Sequence, residues 1–426
     1  MATLGTLALL GQPSSGQAGG FILPNTGAKA SSMVGAWVAQ GDDLSVMDHN
    51  PAQLVRQDQY GVELHYTAFV FSGTYQPDPV AGLGSGPASS NVGDFVNHIP
   101  NVYGSFPLHE RFTLGVGIFS PIGPSHTYSD GGAQRYQVQQ STVQLAWGTV
   151  AGAYRILDNL AASLSLDVGV ASAEQKMALG LIPGYHSLDG NLLLEAAGGP
   201  IPRAKLGVLY HPADDISIGL VAAHGVDLRL QGEIQAAVPQ VGFDPATARD
   251  DVTVTQRYPS EARLAVGWTP EPFRAEVALR YYRWSEYDAQ RIELATNQIG
   301  GITIDDMIVE QHYRDTLAIQ LGGGYRFADV HEVRAGYMFD QQANLDPGVT
   351  ISDFDAPKHV LGLGYGLTFA DNYYTNLSFN QIFYQDRHVT DSATEAVSVM
   401  GESPALGNGT YTWSVQTVAM QLGARF

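Results

Sequence analysis

The chain has 426 residues, of which 44% are hydrophobic and 15% are charged, and it contains 48 glycines and no cysteine. This length is enough for a large core or a wide barrel, and the lack of cysteine excludes disulfides, thiolate metal sites and thiol nucleophiles. The formal net charge of -20 argues against nucleic-acid binding, which needs lysine and arginine to neutralise phosphates. No apolar stretch reaches the roughly 18 residues of a membrane-spanning helix, so any membrane crossing would use strands.

The beginning of the chain differs from the rest in composition. Residues 1–18 combine an apolar run from Leu4 to Leu10 with the small-residue pattern Gly16-Gln17-Ala18, which resembles a secretory signal peptide cleaved after Ala18, although no basic residue precedes the apolar run. Residues 19–58 are rich in Gly, Ala, Ser and Asp and show no sustained alternation. We expect this second segment to be compact and free of strands.

From about residue 59 onward, apolar and polar residues alternate with a period of two, which is the pattern of a strand with one apolar face. The alternation is clearest at 418–426 and recurs at 160–170, 216–230 and 361–369. A soluble antiparallel sandwich would also alternate. However, several of these runs reach or exceed the roughly 9 to 11 residues that cross a bilayer at a tilt.

Short and long connections alternate strictly along this part of the chain. Short turns are predicted at Leu108–Arg111, Leu157–Asn159, His211–Asp215, Pro270–Pro272, Ala328–His331 and Ala370–Asn372. Long loops are predicted at Ser72–Asn97, Pro121–Arg135, Leu179–Pro200, Gln235–Asp251, Thr296–Glu310, Gln342–Ala356 and Asp391–Gly409. These connections predict an all-β fold, a transmembrane antiparallel β-barrel of about 14 strands over residues 59–426. Such a barrel is wide enough to hold residues 19–58 in its lumen as an N-terminal hatch, or plug.

The third predicted strand ends in Ser120-Pro121-Ile122-Gly123-Pro124. Neither proline can donate a hydrogen bond to a neighbouring strand, so strand pairing must be interrupted nearby. This predicts a lateral opening in the barrel wall at Pro121, Gly123 and Pro124. The alternative is that the prolines only begin the following loop.

The predicted loop from Leu179 to Pro200 is unusually apolar for an exterior connection, and exposed apolar residues often mark a ligand surface. We therefore expect a ligand-binding groove here, unless these side chains pack against one another. Its predicted lining is Leu179, Leu181, Ile182, Leu192 and Leu194, with Val241 and Phe243 from the next loop.

Signals for catalysis or metal binding are weak. Ser125 and His126 lack the Gly-x-Ser-x-Gly context of a serine hydrolase. The acids Asp42, Asp43 and Asp48 lack the spacing of a calcium loop, and the histidines form no ligand cluster in the sequence. We expect no enzymatic activity, no cofactor and no metal site.

Several short segments follow one another along nearly the whole chain in an order and spacing typical of one family. They are Gly20–Leu23, Gly35-Ala36, Asn50-Pro51-Ala52, Pro259–Val266, Tyr281–Ser285, Arg314-Asp315, Arg334–Tyr337 and the closing segment that ends in Phe426. In these segments the chain resembles the long-chain fatty acid transporter family of Gram-negative bacteria, which includes importers of aromatic hydrocarbons.

The resemblance implies passive import of hydrophobic compounds across the outer membrane, with long-chain fatty acids as the first expectation and hydrocarbons as an alternative. It also implies a ligand path from the outer loops to a pocket above the hatch and out through the lateral opening. The residues implied for the hatch are Phe21, Leu23, Asn50, Pro51 and Ala52. Lys176 and Arg291 are the nearest candidates for binding a carboxylate, although neither lies in a clear motif.

The expected partners are a hydrophobic small molecule and outer-membrane lipid, around a monomeric protein. A general diffusion porin shares the barrel and is the main alternative, followed by an outer-membrane lipid hydrolase. The apolar outer loop and the plug segment argue against a porin, since a porin keeps an open polar channel.

Overall fold

The fold is taken from a computed structural model. It describes residues 22, 26–79, 90–122, 125–179, 189–240, 243–296, 298–299, 302–303, 306–351, 353–370, 372–393 and 407–426. The expected signal peptide, residues 1–18, lies outside these residues.

Strands dominate the described part of the chain. The helices are α1 (Ala28–Ser32) and α2 (Val46–His49), with 3-10 helices at Pro51–Arg56, Ala133–Tyr136, Trp284–Glu286 and Asp346–Gly348. The strands are β1 (Gly61–Pro77), β2 (Ser90–His109), β3 (Phe112–Ile122), β4 (Ser125–Thr127), β5 (Gln140–Leu157), β6 (Leu160–Leu179), β7 (Gly190–Ala213), β8 (Ile216–Ala223), β9 (Val226–Gln240), β10 (Phe243–Tyr258), β11 (Ser260–Trp268), β12 (Phe273–Arg283), β13 (Ala289–Leu294), β14 (Gln298–Ile299), β15 (Ile302–Thr303), β16 (Met307–Glu310), β17 (Thr316–Phe327), β18 (His331–Asp340), β19 (Lys358–Phe369), β20 (Tyr373–Tyr384), β21 (Arg387–Val389) and β22 (Gly409–Arg425). None of the described helices is long and apolar enough to span a membrane.

Twenty of these segments form one sheet that closes on itself, because β1 pairs with β22 as well as with β2. Six crossings of the wall consist of two consecutive segments each, so the twenty segments make fourteen antiparallel crossings. The divided crossings are β3–β4, β8–β9, β10–β11, β12–β13, β16–β17 and β20–β21. The predicted all-β barrel of about 14 strands is therefore confirmed.

The six predicted turns coincide with the short connections at one end of the barrel. Three of the predicted long loops are wrong in extent, because strands continue into them. The first is Ser72–Asn97, since β1 ends at Pro77 and β2 begins at Ser90. The loop predicted at Leu179–Pro200 is mostly strand, since β7 begins at Gly190, and the loop predicted at Gln235–Asp251 is reduced to two residues. Within β7, buried Leu192 and Leu194 alternate with more exposed neighbours, so their apolar character reflects the inner face of a strand.

The outer face of the wall is apolar and the inner face is polar over much of its height. In β6, Leu166 is 58% exposed and Val170 is 60% exposed, whereas Ser165 and Asp167, on either side of Leu166, are buried. This is the reverse of a soluble barrel and is the arrangement of a wall surrounded by lipid.

Residues 26–58, here called the N-terminal segment, lie inside the barrel. Helix α1 contacts β18, β19, β20 and β22, whereas the 3-10 helix Pro51–Arg56 contacts β3, β5, β6 and β7 on the other side. The segment lies so close to the wall that two wall glycines could not carry a side chain. A Cβ atom added to Gly219 would lie 2.2 Å from the carbonyl oxygen of Val38, and one added to Gly336 would lie 2.6 Å from the backbone of Met33. The segment therefore fills lumen space that side chains would otherwise occupy.

We predict that Gly169→Val destabilises the barrel by about 1–3 kcal/mol, because overpacking a well-filled interior forces its neighbours to move. Gly169 is buried on β6, and a Cβ there would lie 2.6 Å from the Trp147 ring. Gly148→Val is the matched control, since a Cβ at Gly148 meets only the carbonyl oxygen of Val168, at 3.8 Å. Urea unfolding in detergent or lipid measures both, and equal stability of the two variants would contradict the prediction.

Candidate functional site

Two buried carboxylates of the wall hold the backbone of the N-terminal segment. Glu276 on β12 accepts hydrogen bonds from the amides of residues 38–40 at 2.6, 3.1 and 3.0 Å. Glu63 on β1 accepts the amide of Leu44, which lies 3.0 Å from both carboxylate oxygens. Four buried backbone amides thus find their acceptors on two different strands, so these contacts fix the segment to two separate parts of the wall.

The Asn50-Pro51-Ala52 motif is a further attachment point. The Asn50 side-chain amide donates to the carbonyl oxygens of Val38, at 2.8 Å, and of Val208 on β7, at 3.0 Å, while its own oxygen accepts the Ala52 amide at 3.1 Å. Pro51 begins a 3-10 helix, where a missing N–H costs nothing. These residues therefore join the segment to itself and to the wall. Phe21 and Leu23, also expected in the hatch, lie outside the described residues.

Buried cations from the wall complete the attachment. Lys205 donates to the carbonyl oxygen of Asp48 at 2.9 Å, and its ammonium lies 3.6 Å from the Asp48 carboxylate. Arg203 and Arg263 both pair with Glu261, each at 2.9 Å. Removal of one member of such a network leaves another charge buried without a partner, which is costly.

A second group of charges surrounds Asp42, near the end of the barrel that carries the short turns. Asp42 lies 2.7 Å from both Lys29 and Arg274, and Arg274 continues to Glu332 at 2.9 Å. Burial alone would favour the neutral acid, but Arg274 and Lys29 hold the pKa of Asp42 well below its usual range. Asp42 is therefore ionised at neutral pH.

Toward the end with the long connections, the inward-facing side chains become apolar and aromatic. Here called the lumen cluster, they are Leu145, Trp147, Leu228, Leu230, Val254, Tyr258, Tyr282 and Trp284, all buried. The guanidinium of Arg203 lies 5.7 Å from the ring centre of Trp147 and 5.1 Å from that of Tyr258. Arg203 therefore contacts both its ion-pair partner Glu261 and the aromatic rings of the lumen cluster.

The wall is interrupted beside β3. Pairing between β2 and β3 stops at Val102 and Ile118. Beyond that point the Ser120 amide donates to the side-chain oxygen of Asn101, at 3.1 Å, and not to a backbone carbonyl group. On the other edge of β3, the pairing with β5 shifts between Phe119 and Ile122. The predicted lateral-opening residue Pro121 lies within this interruption, whereas Gly123 and Pro124 lie outside the described residues.

A cavity of about 780 Å³ lies at this interruption. Exposed residues of the outer face line it, among them Ile118 and Val170, and so do the buried residues Ile122, Leu145 and Ala171. The cavity therefore extends from the outer surface to side chains that face the lumen.

The residues predicted for an outer ligand groove are placed differently from expectation. Leu179, Leu192 and Leu194 are buried on paired strands, so they do not form an exposed groove, because the hairpin of β6 and β7 turns them inward. Leu181, Ile182 and Val241 lie outside the described residues. Phe243 begins β10, but the structure does not describe its side chain.

The two expected carboxylate-binding residues do not meet in the lumen. Lys176 is 38% exposed and lies 3.8 Å from Asp130. Arg291 is exposed, between buried Gln290 and Ile292, and so lies on the outer face of β13. The alternation of β13 explains this placement, because inward and outward positions differ by one residue.

Sequence reasoning missed the residues that hold the N-terminal segment. Glu63 lies between Val62 and Leu64, and Glu276 lies between Ala275 and Val277. An acid flanked by apolar residues in a strand with an apolar outer face must point into the lumen. That signal was present in the sequence and identifies both carboxylates.

The comparisons with known proteins agree with this architecture. Residues 11–426 match the family model described as "Outer membrane protein transport protein (OMPP1/FadL/TodX)". An outer membrane protein of Neisseria meningitidis serogroup B is 25% identical over 144 residues, which cover 31% of this chain and 30% of that protein. The 47 kDa outer membrane protein of Pasteurella multocida is 24% identical over 362 residues, covering 78% of this chain and 80% of that protein.

Two solved structures share the fold. A Pseudomonas aeruginosa FadL homologue has a TM-score of 0.80 at 16% identity, over 96% of this chain and 100% of that one. The Pseudomonas putida toluene transporter TodX has a TM-score of 0.72 at 16% identity, over 95% and 99% of the two chains. By its match over nearly the whole sequence, this chain belongs to the outer membrane protein transport family of Gram-negative bacteria, whose members carry hydrophobic compounds across the outer membrane.

Proposed function

We propose that this protein imports neutral hydrophobic compounds passively, through a barrel closed by residues 19–58 as a hatch, and releases them sideways through the interruption beside β3. The observation that carries the proposal is the continuity between lumen and wall. Ile122, Leu145 and Ala171 belong to the same apolar cluster as Trp147 and also line the cavity in the wall. An apolar molecule in the lumen thus has apolar contacts as far as the outer face.

The N-terminal segment acts as the hatch in this proposal, and residues 59–426 form the barrel. Ala36, Trp37 and Ala39 in the middle of the segment have no exposed surface. A segment that packs this closely against the wall leaves little room for water beside it, which does not suit a general diffusion porin. The attachments through Glu276 and Glu63 are hydrogen bonds, which can be exchanged without covalent chemistry.

The charges of the lumen favour a neutral cargo over a fatty acid. Among the described residues, each of the nine buried lysines and arginines forms an ion pair with a carboxylate. A carboxylate ligand would have to displace one of these partners, which leaves a buried charge unpaired. The aromatic side chains of the lumen cluster offer a surface for hydrocarbon rings. The similar fold of a toluene transporter is in keeping with such a cargo. Long-chain fatty acids are the alternative.

We propose further that the protein acts as a monomer surrounded by outer-membrane lipid, without a catalytic step. The wall closes within a single chain, so no second copy is needed to complete it.

The first prediction concerns the hatch. Deletion of residues 19–50 should give a large, steady increase in single-channel conductance in planar bilayers, because the lumen then opens to water. Glu276→Gln should give brief openings that the wild type lacks, because a side-chain NH2 group replaces one of the two oxygens that accept the amides of residues 38–40. Glu293→Gln, exposed on β13, is the matched control. Unchanged conductance in the deletion variant would exclude the hatch.

The second prediction concerns the lateral opening. Ala171→Trp should slow hydrophobic uptake several-fold, because the indole fills the cavity at the break in the wall. Leu166→Trp places the same ring on the lipid face of the same strand, where Leu166 is 58% exposed, and should take up ligand normally. The initial rate of toluene uptake by whole cells measures both. Wild-type rates in folded Ala171→Trp protein would contradict lateral release at this place.

The third prediction concerns the cargo. Cells with an intact outer membrane should take up radiolabelled toluene faster with the protein than without it, and should show no gain for a small sugar. We expect a smaller gain for oleate, because the described lumen cations are paired. Equal gains for oleate and toluene would restore fatty acids as the cargo, and a gain for sugar alone would indicate a porin. Release of fatty acid from phospholipid by the purified protein would instead indicate a hydrolase.

A further inference from the structure

A buried cluster joins Asp43 of the N-terminal segment to Glu63 and His65 on β1. One potential ligand atom from each side chain lies within 4.8 Å of the other two. The exposed fractions are 0% for Asp43, 0% for Glu63 and 3% for His65. Side chains that are 20 residues apart in the sequence thus form a compact group where the segment meets the first strand.

The hydrogen bonds within the cluster are incomplete. One carboxylate oxygen of Asp43, Oδ1, accepts from the Trp37 indole at 3.0 Å and from the Ser45 hydroxyl at 2.6 Å, but the other, Oδ2, has no partner. His65 Nε2 lies 2.7 Å from Glu63 Oε2, whereas His65 Nδ1 has no partner. A buried polar atom without a partner is unfavourable and calls for an explanation.

The charge of the cluster is also unbalanced. Among the described residues, Asp43 and Glu63 form no ion pair with a lysine or an arginine, in contrast to the carboxylates near Arg203 and Arg274. Two cations bind the neighbouring residue instead: Lys29 pairs with Asp42 at 2.7 Å, and Arg425 donates to the Asp42 carbonyl oxygen at 3.2 Å. Among the described residues, one imidazole and no lysine or arginine therefore lies in ion-pair distance of these two buried carboxylates.

We propose that Asp43, Glu63 and His65 bind a divalent transition-metal ion, for which Zn²⁺ is the representative. One imidazole and two carboxylates form an oxygen and nitrogen ligand set that suits zinc, whereas calcium and magnesium prefer oxygen ligands alone. The Tyr374 hydroxyl donates a hydrogen bond to Glu63 and would thereby orient its carboxylate toward the ion. Trp37 and Ser45 orient Asp43 in the same way.

A bound ion would connect the N-terminal segment to the wall, since Asp43 belongs to the segment and the other two ligands belong to β1. An ion that binds only when these elements are together stabilises that arrangement by mass action. The site thus would hold the segment in place, and its existence does not depend on the identity of the cargo.

The test uses the full-length protein in detergent, stripped with a chelator. Titration with Zn²⁺ should give one ion per chain, and Co²⁺ should give visible ligand-field absorption from nitrogen and oxygen ligands. Asp43→Asn and His65→Gln, which nearly preserve side-chain size, should each weaken Zn²⁺ binding at least about tenfold. His109→Gln is the control, because His109 is exposed beside a turn and should leave binding unchanged.

The wild-type protein alone can overturn the proposal, so the test does not depend on whether a variant folds. Absence of stoichiometric Zn²⁺ binding, or of Co²⁺ absorption, excludes the site. Binding that is equal in wild type, Asp43→Asn and His65→Gln would place the ion elsewhere and also overturn it. Circular dichroism confirms that each variant forms the barrel, and Zn²⁺ should raise the unfolding temperature of the wild type but not that of Asp43→Asn.

Discussion

The structure depends on one constraint: polar groups that point into the barrel must find partners there, because the outer face of the wall is apolar and provides none. The wall supplies Glu63, Glu276, Lys205 and Arg263, and the N-terminal segment supplies backbone amides, carbonyl groups and the Asp48 carboxylate. Segment and wall are thus complementary halves of one hydrogen-bonded interior, and either half alone would leave buried charges unpaired.

Much of the fold could be predicted, because the alternation of apolar and polar residues along a strand indicates which face of the strand contacts lipid. The same period also shows why other predictions were wrong. Leu192 and Leu194, predicted for an outer groove, lie on the inner face of a long strand. Arg291, predicted to bind a carboxylate in the lumen, lies at an outward-facing position of its strand. The grouping of Asp43, Glu63 and His65 could not be predicted, because the path of an irregular segment within the lumen follows no sequence period.

The interruption of strand pairing beside β3 has more than one cause. The proline on β3 was visible in the sequence, but the pairing of β6 with β7 also shifts, between Gly169 and Ala171, and Gly198 and Gly199 of β7 line the same cavity. Two irregularities on separate strands therefore meet at one place. Between them, β5 and β6 stay in register, from Leu145 opposite Ala171 to Trp147 opposite Gly169, so the irregular pairing lies on the two outer edges of this strand pair.

The seam of the barrel has a consequence for biogenesis. β1 and β22 pair continuously over 17 positions, from Gly61 opposite Arg425 to Pro77 opposite Gly409, without a shift in register. Until the last strand has been synthesised, one whole edge of β1 has no partner, and unpaired backbone groups are poorly tolerated in hydrocarbon. The barrel therefore closes only when its first and last strands are both present, and until then their free edges can pair with other chains.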